Sequence, residues 1–131
     1  MAKLAHSNIR VLDEQRSTDF YVRAFSLEVR DRLVFEDFSL IFLASPESDF
    51  ELELTVNHGR SEPYSHGTGY GHLALTVDDI EAAHQHCAGL DLAPTPIKEL
   101  HSEGRVAVRF FFVTDPDGYQ VEIVHRQGRY R

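Results

Sequence analysis

Apolar residues recur at every second position in most of the short hydrophobic runs of this chain, and at helical spacing in two others. A period of two predicts a strand with one covered face, whereas a period near 3.6 predicts an amphipathic helix. For the first half, this pattern predicts a strand, a helix and three further strands. Their predicted ranges are Leu4–Leu12, Asp13–Phe25, Leu27–Leu33, Phe38–Ala44 and Phe50–Val56.

The second half repeats this order. Asp78 and Glu81 have the spacing of a capping box, which predicts a helix that begins there and runs to Ala88. Pro94 and Pro96 cannot donate to a sheet, so the strand that contains them is expected at an edge. The four predicted strands of this half are Gly71–Val77, Leu90–Ile97, Val106–Thr114 and Tyr119–His125.

The order β-α-β-β-β thus occurs twice, which predicts an α+β protein built from two equivalent modules. We expect the modules at about 3–58 and 69–126, in a single domain covering 1–131. The linker, 59–68, contains glycine and proline and few apolar residues. Neither half has enough apolar residues to form a good core alone, so we expect the two sheets to pack, within a chain or between chains.

The repeat extends to residues that carry chemistry. The run His6–Val11 recurs as His72–Val77, and the run around Glu53 recurs around Glu122. Alternation places each glutamate on the less apolar face of its strand. Asn8 and Arg10 share the face of His6, and a face with polar residues at every second position is typical of solvent or of a site.

Two histidines and two glutamates make a formally neutral set of two nitrogen and two oxygen donors. Such a set suits a divalent metal, and without a thiolate it fits Ni²⁺, Co²⁺, Mn²⁺, Fe²⁺ or Zn²⁺ equally well. We therefore predict that His6, Glu53, His72 and Glu122 converge on one metal ion. The alternative is a metal-free binding protein, in which the repeat results only from gene duplication.

Composition narrows the class of protein. The net charge of −8 argues against general nucleic-acid binding and against an anionic membrane surface. No apolar run approaches the roughly 20 residues that span a bilayer, and no secretory segment opens the chain, so we expect a cytoplasmic protein. The single cysteine, Cys87, excludes an intrachain disulfide and is predicted to be a small core residue, as is the run Phe110–Phe112.

Five stretches of this sequence, in this order, resemble the vicinal-oxygen-chelate superfamily (the glyoxalase/bleomycin-resistance fold), and within it the bacterial type of glyoxalase I. They are Arg10–Asp13 with His6, Arg16–Tyr21, Glu53–Asn57, Gly67–Leu75 and Asp115–Glu122. Many members with other activities use three metal ligands and lack a glutamate equivalent to Glu53. The resemblance implies two βαβββ modules with mixed sheets, packed as a homodimer whose sites lie at the subunit interface.

The resemblance also implies an activity, that of a lactoylglutathione lyase. Such enzymes isomerise the hemithioacetal of methylglyoxal and glutathione to S-lactoylglutathione through an ene-diolate. The family's metal ligands map onto His6, Glu53, His72 and Glu122, and a histidine at position 6 resembles the members that prefer Ni²⁺ or Co²⁺ over Zn²⁺ or Mn²⁺. Glu122 is our candidate base, with Glu53 as its symmetric partner.

The family's substrate-binding arginine and asparagine map onto Arg10 and Asn57. Relatives often carry a lysine before the long strand of the second half, where it holds a carboxylate of glutathione; here that stretch is Ser102–Arg105, and Arg105 is the candidate replacement. This departure leaves two other functions open. One is another metalloenzyme of the fold, an epimerase or a thiol transferase; the other is a metal-free protein that sequesters a drug.

Overall fold

The computed structural model describes residues 1–131 and divides the chain into two compact units, Met1–Ser65 and His66–Arg131. The first unit contains β1 (His6–Arg10), α1 (Glu14–Phe25), β2 (Glu28–Val34), β3 (Phe38–Ala44) and β4 (Glu51–Asn57). The second contains β5 (Leu73–Val77), α2 (Ile80–Gly89), β6 (Lys98–Ser102), β7 (Arg105–Thr114) and β8 (Gln120–His125). The predicted order β-α-β-β-β is therefore confirmed in both units.

Each unit has one four-stranded mixed sheet. The strand order is β1-β4-β3-β2 in the first unit and β5-β8-β7-β6 in the second. The first strand of each unit lies parallel to the last, and the remaining neighbours are antiparallel. This topology brings the beginning and the end of each unit side by side, although some 45 residues separate them in sequence in the first unit.

Alternation along the strands separates a buried face from a partly exposed one. On β4, Leu52 and Leu54 are buried, while Glu51, Glu53 and Thr55 on the other face are half-buried. On β8, Val121 and Ile123 are buried and Glu122 is half-buried. The predicted parity is therefore confirmed at the two glutamates, although Val124, on the same face of β8 as Glu122, is also buried. In the second unit, α2 lies against β7 and β8, and Cys87 is buried as predicted.

The helix ends are set by local hydrogen bonds. Asp13 caps α1 by accepting from the Arg16 amide at 2.9 Å. The prediction of a capping box on Asp78 and Glu81 is wrong by one residue. Asp79 caps α2 and accepts from the Ala82 amide at 3.0 Å, which places Glu81 too early in the helix to reach back.

The predicted strand at Leu90–Ile97 does not form, and the edge strand of the second sheet is β6 instead. Asp91 and Ala93 have positive φ angles of 59° and 49°, and Pro94 and Pro96 have no amide to donate. The other predicted boundaries differ from the structure by two residues at most. No helix of the chain is both long enough and apolar enough to cross a bilayer.

Candidate metal centre

The first unit brings His6 and Glu53 together. His6 opens β1, and Glu53 lies in the middle of the neighbouring parallel strand β4, where its register partner is Asn8. The imidazole reaches diagonally across the pair, so that Nε2 lies 3.4 Å from Glu53 Oε1. The glutamate side chain is only 12% exposed, but the histidine is 43% exposed, so the pair faces outward from the sheet.

The second unit repeats this arrangement. His72 directly precedes β5, and its Nε2 lies 3.2 Å from Glu122 Oε1 on β8. The exposed fractions are 40% and 16%, close to those of the first pair. Each unit by itself therefore presents one imidazole nitrogen and one carboxylate oxygen side by side on an accessible part of its sheet.

A phenylalanine backs each pair, and the sequence did not reveal its role. Phe42 is the register partner of Glu53 and meets the His6 ring edge-on, with centroids 6.2 Å apart. Phe112 is the partner of Glu122 and meets His72 edge-on at 5.2 Å. The prediction that Phe110–Phe112 belongs to the core is confirmed for Phe111, which is fully buried, whereas Phe112 is only half-buried and packs against His72.

The donors fit a divalent metal. Each pair offers one imidazole nitrogen and one carboxylate oxygen, which together suit the borderline metals of the first transition row. No group of three or more His, Cys, Asp or Glu side chains that could hold one ion occurs in the chain. Each unit therefore brings together two side chains that can bind a metal, one histidine and one glutamate.

Asn8 is a further polar residue at the first pair. Its Nδ2 donates to Glu53 Oε1 at 2.7 Å and to Thr55 Oγ1 at 2.7 Å. The sequence contained the signal, because Asn8 interrupts the apolar pattern on the face of His6. It did not indicate the partner, which depends on the register between β1 and β4.

Two of the predicted substrate residues lie at the ends of strands in the first unit. Arg10 ends β1 and is exposed, with Thr55 as its register partner. Asn57 ends β4, and its Nδ2 donates to the Tyr64 hydroxyl at 2.8 Å. The guanidinium of Arg60 lies 4.0 Å from the centre of the Tyr64 ring, a cation–π contact that holds the tyrosine in place.

Arg105, the third predicted substrate residue, lies elsewhere on the second sheet. It opens β7 directly after a two-residue turn in which Glu103 and Gly104 both have positive φ angles, 53° and 75°. From position 105 to Phe112 the strand rises about 23 Å at ~3.3 Å per residue. The structure therefore does not bring Arg105 to the His72–Glu122 pair of its own unit.

Known proteins resemble this chain along nearly its whole length. A sequence model of the Glyoxalase/Bleomycin resistance protein/Dioxygenase superfamily matches residues 3–123. The lactoylglutathione lyase of Escherichia coli O157:H7 is 34% identical, and the match covers 95% of this chain and 93% of that protein. The lactoylglutathione lyase of Schizosaccharomyces pombe is 35% identical, and the match covers 93% of this chain.

The match covers 47% of the S. pombe protein, so the chain spans about half the length of that relative. Among solved structures, the trypanothione-dependent glyoxalase I of Leishmania major superposes with a TM-score of 0.76 at 32% identity, covering 95% of this chain and 87% of that one. With the match to residues 3–123, these similarities establish the family. The chain belongs to the Glyoxalase/Bleomycin resistance protein/Dioxygenase superfamily.

Proposed function

We propose that this chain is a metal-dependent lactoylglutathione lyase, which isomerises the methylglyoxal–glutathione hemithioacetal to S-lactoylglutathione. The observation that carries the proposal is the repeated histidine–glutamate pair, His6 with Glu53 and His72 with Glu122. Relatives at about one-third identity bear the name of this activity, which supports the assignment.

In this proposal His6, Glu53, His72 and Glu122 hold one divalent ion, with Ni²⁺ or Co²⁺ preferred and Zn²⁺ or Mn²⁺ accepted. When bound, the ion supplies a Lewis acid that acidifies the C–H beside the substrate oxygens and balances the negative charge that develops there. The isomerisation moves a proton and an electron pair within the substrate. It therefore requires no redox cofactor, and glutathione enters only as the thiol of the substrate.

Glu122 is the proposed base. Its carboxylate removes the proton from the carbon between sulfur and hydroxyl, and the protonated carboxyl returns it to the neighbouring carbon. Glu122 is 16% exposed, so it is shielded from bulk water yet reachable by a substrate. Arg10 and Asn57 bind the polar ends of the thiol in this proposal, and the Tyr64 hydroxyl fixes the orientation of the Asn57 amide.

The functional unit in this proposal is a homodimer in which His6 and Glu53 of one chain join His72 and Glu122 of the other. Two observations support it. Each unit of the chain holds one histidine–glutamate pair, and the chain spans about half the length of the S. pombe relative. Two copies together would therefore be about as long as one copy of that protein.

The direct test is an absorbance assay with methylglyoxal and glutathione, using protein stripped of metal and reloaded with Ni²⁺, Co²⁺ or Zn²⁺. We expect activity that depends on added metal and is higher with Ni²⁺ or Co²⁺ than with Zn²⁺. Metal-loaded protein that leaves the hemithioacetal unchanged would contradict the proposal. Protein that binds none of these ions would instead favour the metal-free binding protein.

Mixing two inactive variants tests the source of the ligands. One variant carries His6→Ala with Glu53→Gln, and the other carries His72→Ala with Glu122→Gln. If each site takes one pair from each chain, the mixed dimer contains one site with all four ligands, and activity returns after subunit exchange. If both pairs of a site come from the same chain, every site in the mixture remains defective and no activity returns.

A second candidate is a metalloenzyme of the same fold that acts on a different thiol adduct. Arg105 opens β7 directly after the turn at Glu103 and Gly104, where relatives often carry a lysine, and this departure favours a thiol other than glutathione. The L. major relative is trypanothione-dependent, so a different thiol has a precedent in the family. Comparing kcat/KM for hemithioacetals of glutathione and of trypanothione separates the two candidates.

A further inference from the structure

The two carboxylates of the repeated pairs have different surroundings. Asn8 lies opposite Glu53 in the β1–β4 register and donates to its Oε1 at 2.7 Å. The residue opposite Glu122 in the β5–β8 register is Ala74, which has no polar side-chain atom. The two units place their histidines and glutamates alike, but they differ at the residue opposite the glutamate.

From this difference we infer that Asn8 is a positioning residue that holds Glu53 in its ligand orientation, whereas Glu122, beside Ala74, keeps the freedom to move. The inference rests on the proposed function for its catalytic consequence, since it assigns Glu53 as the permanent ligand and Glu122 as the base. Its structural part concerns only how tightly each carboxylate is held.

The orientation of the Asn8 amide follows from its partner. An ionised carboxylate can only accept hydrogen bonds, so the amide must present its NH₂ group to Glu53. The second N–H of that group is directed to Thr55 Oγ1, also at 2.7 Å. The bond to Glu53 Oε1 fixes the direction of the carboxylate, and the bond to Thr55 Oγ1 only satisfies the remaining N–H of the amide.

Glu122 has no equivalent clamp from its neighbours in the sheet. The counterpart of Thr55 on β8 is Val124, which is buried and apolar. The carboxylate lies 3.2 Å from His72 Nε2, and the facing residue on β7 is Phe112. Rotation of the Glu122 side chain therefore breaks no hydrogen bond to an amide, whereas rotation of Glu53 breaks the bond from Asn8.

A held carboxylate and a free one suit different tasks. Partners that orient a metal ligand typically contribute about 10–100-fold to metal affinity or activity, because the ligand need not be ordered when the ion binds. A general base must instead move between the substrate carbons that lose and gain the proton. Asn8 therefore makes the two halves of the site chemically unequal, although the four ligand types are symmetric.

Four variants of the purified chain test the inference. Asn8→Ala copies the neighbour of Glu122 into the first pair. Thr55→Val is the matched control, because it removes the second acceptor of the amide and leaves the bond to Glu53. Ala74→Asn is the reciprocal change, which offers Glu122 an amide. Asn8→Leu, which keeps the side-chain volume, serves as a second donor-free variant if Asn8→Ala folds poorly.

The first measurement is Co²⁺ affinity, from a competition titration with a chelator that follows the visible absorption of the bound ion. We expect Asn8→Ala and Asn8→Leu to bind Co²⁺ about 10-fold more weakly than the wild type. We expect Thr55→Val to stay within about 2-fold, because the bond to Glu53 remains. Wild-type affinity in both Asn8 variants, or an equal loss in Thr55→Val, would overturn the inference.

The second measurement is turnover with substrate deuterated at the carbon that loses its proton. We expect Ala74→Asn to lower kcat and raise the deuterium isotope effect, with KM close to the wild type and Co²⁺ affinity no lower than that of the wild type. An unchanged kcat and isotope effect would refute the freedom assigned to Glu122. Wild-type protein that binds Co²⁺ but does not isomerise the substrate would refute the proposed function, while the Co²⁺ affinities would still decide on Asn8.

Discussion

The imidazole of His72 meets the ring of Phe112 edge to face, with centroids 5.2 Å apart and planes at 87°. The equivalent contact in the first unit, between His6 and Phe42, is longer, at 6.2 Å and 71°. Each phenylalanine is also the register partner of the glutamate that its histidine approaches. The ring therefore supports both members of the pair and limits the directions in which the imidazole can point.

Replacing Phe112 with leucine should weaken metal binding through the freedom that it gives to His72. An aromatic pair contributes about 0.5–1.5 kcal/mol beyond the area it buries, which corresponds to roughly a 2–10-fold change in affinity. Phe42→Leu should have a smaller effect, because its contact with His6 is longer. Co²⁺ competition titrations of both variants measure this, and a larger loss in Phe42→Leu would contradict the prediction.

Glu122→Gln should retain the metal and lose most of the turnover. Glutamine preserves an oxygen ligand but cannot accept the substrate proton, and positioned general-base catalysis typically contributes ~10²–10⁴ in rate. The measurement pairs metal analysis with kcat for the hemithioacetal. Glu53→Gln is the matched control, and its main effect should be on metal affinity rather than on turnover. Full turnover by metal-loaded Glu122→Gln would transfer the role of base to Glu53.

Tyr64→Phe should raise KM with little change in kcat. The variant removes the hydroxyl that accepts from Asn57 Nδ2 but keeps the aromatic ring beneath Arg60. A hydrogen bond of this kind contributes about 0.5–1.5 kcal/mol, so we expect KM to rise roughly 2–10-fold. Steady-state kinetics with varied hemithioacetal give both constants. A fall in kcat alone would show that Asn57 acts on the chemical step rather than on binding.

Asp79→Ala should destabilise the protein by about 1 kcal/mol, the typical loss when an N-cap side chain is removed. The adjacent Asp78→Ala is the control. Its carboxylate is 84% exposed and lies 3.4 Å from Arg126 Nε, so we expect a change below about 0.5 kcal/mol. Urea unfolding at constant pH measures both free energies. Equal effects would mean that the cap bond from Asp79 to the Ala82 amide contributes little.

The buried thiol of Cys87 should make the free energy of unfolding fall at alkaline pH. Burial raises the pKa of this thiol, so above pH ~8.5 the thiol ionises in the unfolded chain before it does so in the folded one. The raised pKa stabilises the fold at neutral pH, and this contribution is lost as pH rises. Cys87→Ala should show a shallower decline between pH 7.5 and 9.5 in urea melts, and identical slopes would refute the effect.

Predictions from the sequence were correct where the signal is local. The period of alternation identified seven of the eight strands and both helices, because side chains on neighbouring positions of a strand must face opposite sides whatever lies beside it. The same rule placed Glu53 and Glu122 on the partly exposed faces of their strands. Alternation does not reveal where the backbone departs from extended geometry, as it does at Asp91 and Ala93. The prediction of a strand at Leu90–Ile97 was therefore wrong.

The sequence by itself determined the duplicated order of elements and the chemical identity of the two histidine–glutamate pairs. Only the tertiary structure decided which atoms meet: that His6 reaches Glu53, that Phe112 supports His72, and that Asn8 clamps one glutamate while Ala74 leaves the other without an amide. The physical reason is that alternation is a property of one strand, whereas these contacts depend on the register between strands that are far apart in sequence.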